Sequence, residues 1–92
     1  MTYIASYKTE VKNENNFETK FQESKNFYHI GNCISWLNEK FNYSYENFYN
    51  RKDVFFIWAI SNCENVYSGI LEVSNLNFIE KVLEVNLNKF KK

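Results

Sequence analysis

The sequence predicts an α+β domain: a mainly antiparallel sheet of about four strands with two helices on one face, in the order ββαββα. Three observations carry that expectation. The N-terminal stretch alternates polar and apolar residues with period two, as a half-exposed strand does. Residues 54–60 form a short apolar run, followed by a turn-like cluster and a second strand-like segment. Two further stretches place apolar residues at helical spacing.

The first strand is read from Tyr3, Ala5, Tyr7, Thr9 and Val11, which alternate with Ile4, Ser6, Lys8 and Glu10. Aromatic and β-branched residues in such a pattern suit a pleated, half-buried surface. The cluster Lys12-Asn13-Glu14-Asn15-Asn16 marks a turn. Residues 17–30 fit two templates. Phe17, Thr19 and Phe21 alternate as a strand would, and Phe17, Phe21, Ser24 and Tyr28 lie at helical spacing. A strand over 17–23 is preferred because it follows a turn directly after a strand, with a further extended piece over Phe27–Ile30.

Gly31-Asn32 predicts a helix start with Asn32 as N-cap. Cys33, Trp36, Leu37 and Phe41 then follow helical spacing, with Glu39 and Lys40 outside. Asn42 is expected to end the helix. Residues 42–50 then read as a polar-aromatic connection, with a short turn capped by Ser44. The run Val54–Ile60 is apolar on both faces, which predicts a central strand covered on each side. Ser61-Asn62-Cys63-Glu64-Asn65 is a turn of hairpin length, and Val66–Val73 is the returning strand. Gly69 in that strand suggests relief of a crowded contact with Trp58 or Phe56. The last helix starts near Ser74-Asn75, where Asn77 and Glu80 resemble a capping box. Its apolar stripe is Leu76, Ile79, Leu83, Leu87 and Phe90.

A chain of 92 residues is read as a single domain, 1–92, long enough to fold alone. Its 9 Phe, 7 Tyr and 2 Trp supply large buried areas that offset the poor surface-to-volume ratio of a small domain. Lys outnumbers Arg ten to one, and Asn occurs fifteen times. AT-rich codons favour Asn, Lys, Ile, Phe and Tyr, so part of this skew reflects base composition. The formal net charge is zero. A neutral chain has no broad field to gather phosphates, which disfavours non-specific nucleic-acid binding. It also leaves self-association unopposed, so a homodimer is one expectation.

The sequence is short of the residues that most chemistry uses. Ser–His or Cys–His catalysis needs an oriented imidazole, and His29 is the one His. It lies among Phe27, Tyr28 and Ile30, where a hydrogen-bonded structural role is expected. Zinc needs several Cys or His ligands, and Cys33, Cys63 and His29 are three residues in all. Gly31 and Gly69 stand apart, which is not the pattern of a phosphate-cradling loop. The carboxylates are scattered. No enzyme, cofactor or metal site is expected. Both cysteines read as small hydrophobes of a reducing compartment. Lys8, Glu10 and Lys12 interrupt the N-terminal stretch, and the longest apolar run is too short for a bilayer. These features together suggest a cytoplasmic protein with no membrane role.

One local concentration stands out. Phe41–Arg51 holds Tyr43, Tyr45, Phe48 and Tyr49 between Asn and Ser residues and ends at the one Arg. Tyr gives contact area at small entropic cost, and Asn and Ser give adaptable hydrogen bonds. Tyr and Arg are also common interface hot spots. The candidate partner-binding residues are therefore Tyr43, Tyr45, Phe48, Tyr49 and Arg51, and the expected partner is another protein. Size and composition match the compact inhibitor and immunity proteins that phages and mobile elements of low-GC bacteria encode, anti-CRISPR proteins among them; no motif carries that analogy. The alternative is single-stranded nucleic acid stacked on exposed rings, with Lys52, Lys81, Lys89, Lys91 and Lys92 as phosphate partners.

Overall fold

The computed structural model describes residues 2–74. They form β1 (Tyr3–Lys12), β2 (Phe17–Phe27), α1 (Ile30–Phe48), β3 (Val54–Ser61) and β4 (Val66–Glu72). The strands make one antiparallel sheet in the order β2-β1-β3-β4. α1 packs across one face, with its most extensive contacts on β1 and β3. The α+β class and the four-strand antiparallel sheet are as the sequence predicts, with one helix among the described residues. The expected second helix, with its stripe from Leu76 to Phe90, lies outside the described residues, as do Lys81, Lys89, Lys91 and Lys92.

The core sits between α1 and the sheet. Alternation in β1 turns Ala5, Tyr7, Thr9 and Val11 inward, and β3 turns in Val54, Phe56, Trp58 and Ile60. α1 answers with Cys33, Leu37, Phe41 and Ser44, which recur at helical spacing. Phe56 is the centre of the packing. Its ring stacks on Tyr7 at 5.3 Å and meets Phe41 edge-on at 5.3 Å. Such offset and T-shaped pairs stabilise beyond the area they bury.

Several expectations are corrected, in whole or in their bounds. β2 is a strand, as preferred for 17–23, but it runs on through Phe27 with an irregularity opposite Thr9/Glu10, and Ile30 opens the helix rather than closing a separate extended piece over Phe27–Ile30. Pairing with β1 decides this: Phe21 and Phe27 reach the core while the residues between them stay exposed. α1 starts earlier, at Ile30. His29 occupies the N-cap position with extended backbone angles, and Asn32 lies inside the helix. The His29 carbonyl accepts from the Asn32 and Cys33 amides, while its imidazole makes no cap bond and is exposed. His29 is therefore not a hydrogen-bonded core residue.

The third correction matters most. α1 does not end at Asn42 but continues to Phe48. The residues read as a connection extend the buried stripe: after Phe41 come Ser44, Tyr45 and Phe48, each facing the sheet. Ser44 is not a cap. It is fully buried, and its Oγ lies 2.6 Å from the Thr9 Oγ1 in β1. The exposed Asn47 donates to the Tyr43 carbonyl one turn back, at 2.8 Å. The Arg51 amide then bonds the Phe48 carbonyl and closes the helix end.

Fourth, β3 is central in order, but its burial alternates along the strand. Among the described residues no element covers its second face. Phe55, Ile57 and Ala59 stand there half-exposed, beside Ile4, Ser6, Lys8 and Glu10 of β1. Gly69 behaves as expected: a Cβ there would lie 2.8 Å from the Trp58 Nε1. Asn62 organises the β3–β4 turn by accepting from the Glu64 and Asn65 amides. Cys33 is buried and Cys63 exposed, both as free thiols, so the reading of both as buried hydrophobes holds for Cys33 alone. Burial pushes the Cys33 thiol up to about 11, which leaves it protonated and inert.

The buried Thr9–Ser44 pair yields a test of the helix extension. Ser44→Ala strands the Thr9 hydroxyl in the core and should cost about 1–3 kcal/mol. Adding Thr9→Val removes the orphaned group, so the double variant should regain much of that loss in urea unfolding.

Candidate functional site

The aromatic residues of α1 divide between two flanks of the helix. Residues two apart do not share a face; they differ by roughly 200° around the axis. Tyr43 lies on the flank over β2, and its ring meets Phe21 at 5.0 Å. Tyr45 and Tyr49 lie together on the other flank, with rings 6.1 Å apart. Phe48 sits between them at the helix end and packs on Phe21 at 5.9 Å and on the core. Tyr43 and Tyr49 expose 52 % and 60 % of their surface, whereas Tyr45 and Phe48 are half-buried. The five predicted residues thus share one end of the molecule but split into two contact faces.

Arg51 lies in the loop after α1. Its Nε and Nη2 donate to both carboxylate oxygens of Asp53, at 3.1 and 2.8 Å. This fork lowers the Asp53 carboxyl below its usual range and raises the guanidinium. Lys52 is exposed beside it.

The β2 flank of α1 sets one predicted residue, Tyr43, among others that sequence reasoning did not assign to a site. Trp36, Lys40 and Tyr43 come from successive turns of α1, and Phe21, Glu23, Lys25 and Phe27 come from the facing side of β2. The Trp36 ring contacts Phe27 at 5.8 Å and the edge of Tyr7 at 5.5 Å. Lys40 Nζ stands 5.7 Å from the Trp36 ring centre and 3.1 Å from Glu23 Oε2. Lys25 Nζ lies 5.4 Å from the Phe27 ring centre. Cations over ring faces are attracted by the π-quadrupole. Beside these groups a groove of about 470 Å³ is lined by Tyr7, Lys20, Phe21, Glu23, Lys40 and Tyr43, among others.

Glu23 joins the two walls of this groove. Its carboxylate accepts a short hydrogen bond from the Tyr7 hydroxyl and pairs with Lys40. The Tyr7 bond and then Lys40 hold the Glu23 carboxyl below its usual range. Burial, followed by the bond to Glu23, raises the Tyr7 hydroxyl well above the ordinary phenol value. At neutral pH the phenol is neutral and donates to a carboxylate. One signal for this flank was in the sequence: Trp36, Lys40 and Tyr43 follow the helical i, i+4, i+7 spacing. The contribution of β2 was hidden, because Glu23 and Lys25 read as ordinary solvated charges.

On this flank the described residues set rings beside lysines and a paired carboxylate. Among all the described residues no group of three or more His, Cys, Asp or Glu side chains could hold a metal ion, and no helix is long and apolar enough to cross a membrane. Comparison with protein-family models, with curated proteins and with solved structures finds no match to this chain.

The Glu23 linkage has a defined pH signature. A carboxyl depressed in the folded state adds stability above its unfolded value, near 4.3 by approximation for Glu, and loses it as pH falls through the lower folded value. Wild type should exceed Glu23→Gln in thermal midpoint at neutral pH. That difference should shrink below about pH 4 and vanish at lower pH.

Proposed function

We propose that the chain is a small protein-binding module that acts by occupying a partner's surface rather than by making or breaking bonds. The observation that carries this reading is the band of rings along α1: Phe27, Trp36, Phe21, Tyr43 and Phe48 in ring-to-ring or cation contact, with Lys25 and Lys40 set between them. Rigid aromatic side chains backed by a core lose little freedom on binding. Their positions are held by α1 and β2 rather than by a loop, so a docking surface is preorganised. Tyr49, paired with Tyr45, offers a second exposed ring on the other flank of the helix end. Lys25 and Lys40 flank Glu23, which already pairs with Lys40, and Lys20 pairs with Glu18 at 2.9 Å. A surface of rings and lysines fits a partner face that presents carboxylates among apolar groups. Inhibitor and immunity proteins of phages and mobile elements work through such surfaces, and that is the class to which we assign this reading.

The test replaces the rings that are exposed in the free protein. Tyr43→Ala with Tyr49→Ala touches little of the core and should leave the thermal midpoint within a few degrees. Proteins retained by the immobilised wild-type chain from cells of its source, or from cells its phage infects, should be lost from the double variant, with at least a ~30-fold weaker affinity for an identified partner. Equal retention by both would contradict the site. A labelled oligonucleotide that binds at low salt and dissociates at high salt would contradict the protein-binding reading and favour stacked single strands.

A further inference from the structure

We propose that the outer edge of β4 is a self-complementary docking strand, on which a second copy of this chain pairs antiparallel and continues the sheet. This surface is separate from the aromatic band of α1.

The hydrogen-bond parity of the sheet identifies the groups that face outward. In antiparallel pairs, residues alternate between those that exchange both backbone bonds with the neighbour and those that point away. The Val73 amide bonds the Val54 carbonyl at 3.0 Å, and at the turn the Asn62 amide bonds the Asn65 carbonyl at 2.9 Å. With the register Phe56↔Leu71, Trp58↔Gly69 and Ile60↔Tyr67, those residues of β4 are the ones bonded inward to β3. Val66, Ser68, Ile70 and Glu72 therefore turn their amides and carbonyls away from the sheet. Among the described residues no strand pairs with them, and β4 is the last strand in the order. All four are exposed, Val66 by 71 % and Ile70 by 66 %.

The two edges of the sheet differ in how they meet this hazard. β2 carries Lys20 and Lys25 and a register irregularity, which are common guards against edge-to-edge pairing. β4 has no Lys, Pro or irregularity. Its one charge is Glu72, at the end.

A two-fold axis at Gly69 lets the edge pair with itself. Ser68 then faces Ile70 of the second copy, and Val66 faces Glu72, so every outward residue gains a reciprocal partner and roughly eight backbone hydrogen bonds form. Like charges do not meet. Ile70 becomes diagonal to Ile70 and Val66 of the other copy, within reach of aliphatic contact. Behind it, Ile57 faces Ile70 across β3–β4, so an apolar strip on the uncovered face runs on across the axis. A chain of zero net charge sets up no long-range repulsion between copies.

The experiment measures mass and amide exchange on the full chain. Light scattering from low micromolar to millimolar concentration should show a monomer giving way to a dimer. Over the same series, amide exchange by NMR should slow at least tenfold at Val66, Ser68, Ile70 and Glu72. Ser68→Pro removes an outward amide without touching a β3 bond, and Ile70→Lys places a charge on the axis side; each should leave the chain folded and monomeric throughout. A wild-type chain that stays monomeric at every concentration overturns the proposal. So does a dimer whose exchange is unchanged at those four amides, or one that persists in both variants. If a variant fails to fold, the exchange pattern of the wild type decides alone.

Discussion

Tyr7 is the point at which β1, β2, β3 and α1 meet. It belongs to β1, its ring stacks on Phe56 of β3 and abuts Trp36 of α1, and its hydroxyl binds Glu23 of β2. The ring is apolar enough to lie in the core, and the hydroxyl is placed where the core opens toward β2. A buried Tyr hydroxyl needs a partner, and a carboxylate is a strong one. That requirement brings an exposed edge strand and its charge against the helix.

The consequences reach the surface. Because Glu23 is held from below by Tyr7, it can hold Lys40 from the side, and Lys40 in turn lies over Trp36. One buried hydroxyl thereby orders a chain of exposed groups. Each exposed ion pair contributes little by itself. Their value here is positional: they keep rings and lysines in one arrangement, the preorganisation that the proposed docking role requires. The helix extension to Phe48 has a parallel cause. Thr9 is buried in β1 and needs a hydroxyl partner, and Ser44 supplies it only if α1 continues past Asn42.

Much of the fold was legible in the sequence. The alternation of β1, the apolar run of β3 with its turn, and the strand after it follow from local pattern, as does the glycine opposite Trp58. The length of α1 was not, because Asn42, Ser44 and Asn47 are poor helix formers taken one by one. A tertiary contact overrides that weak preference: Ser44 is satisfied by Thr9, while Asn47 bonds a carbonyl one turn back within the helix. Of the candidate site, the abundance of rings near residue 45 was legible, but their division between two flanks was not. That division follows from the residues being helical rather than a loop. The β2 side of the band was silent, since Glu23 acquires its role only through a register that places it opposite Tyr7.

The central claim is that the Tyr7 hydroxyl organises the β2 flank of α1. It is tested most directly by following the Glu23 carboxyl carbon through an acid titration by NMR, in wild type and in Tyr7→Phe. The account predicts a midpoint below the ordinary Glu value in wild type, a rise toward that value in Tyr7→Phe, and chemical-shift changes reaching Lys40 and Trp36 with the ring stack on Phe56 retained. A Glu23 that titrates at the ordinary value in both proteins would contradict it.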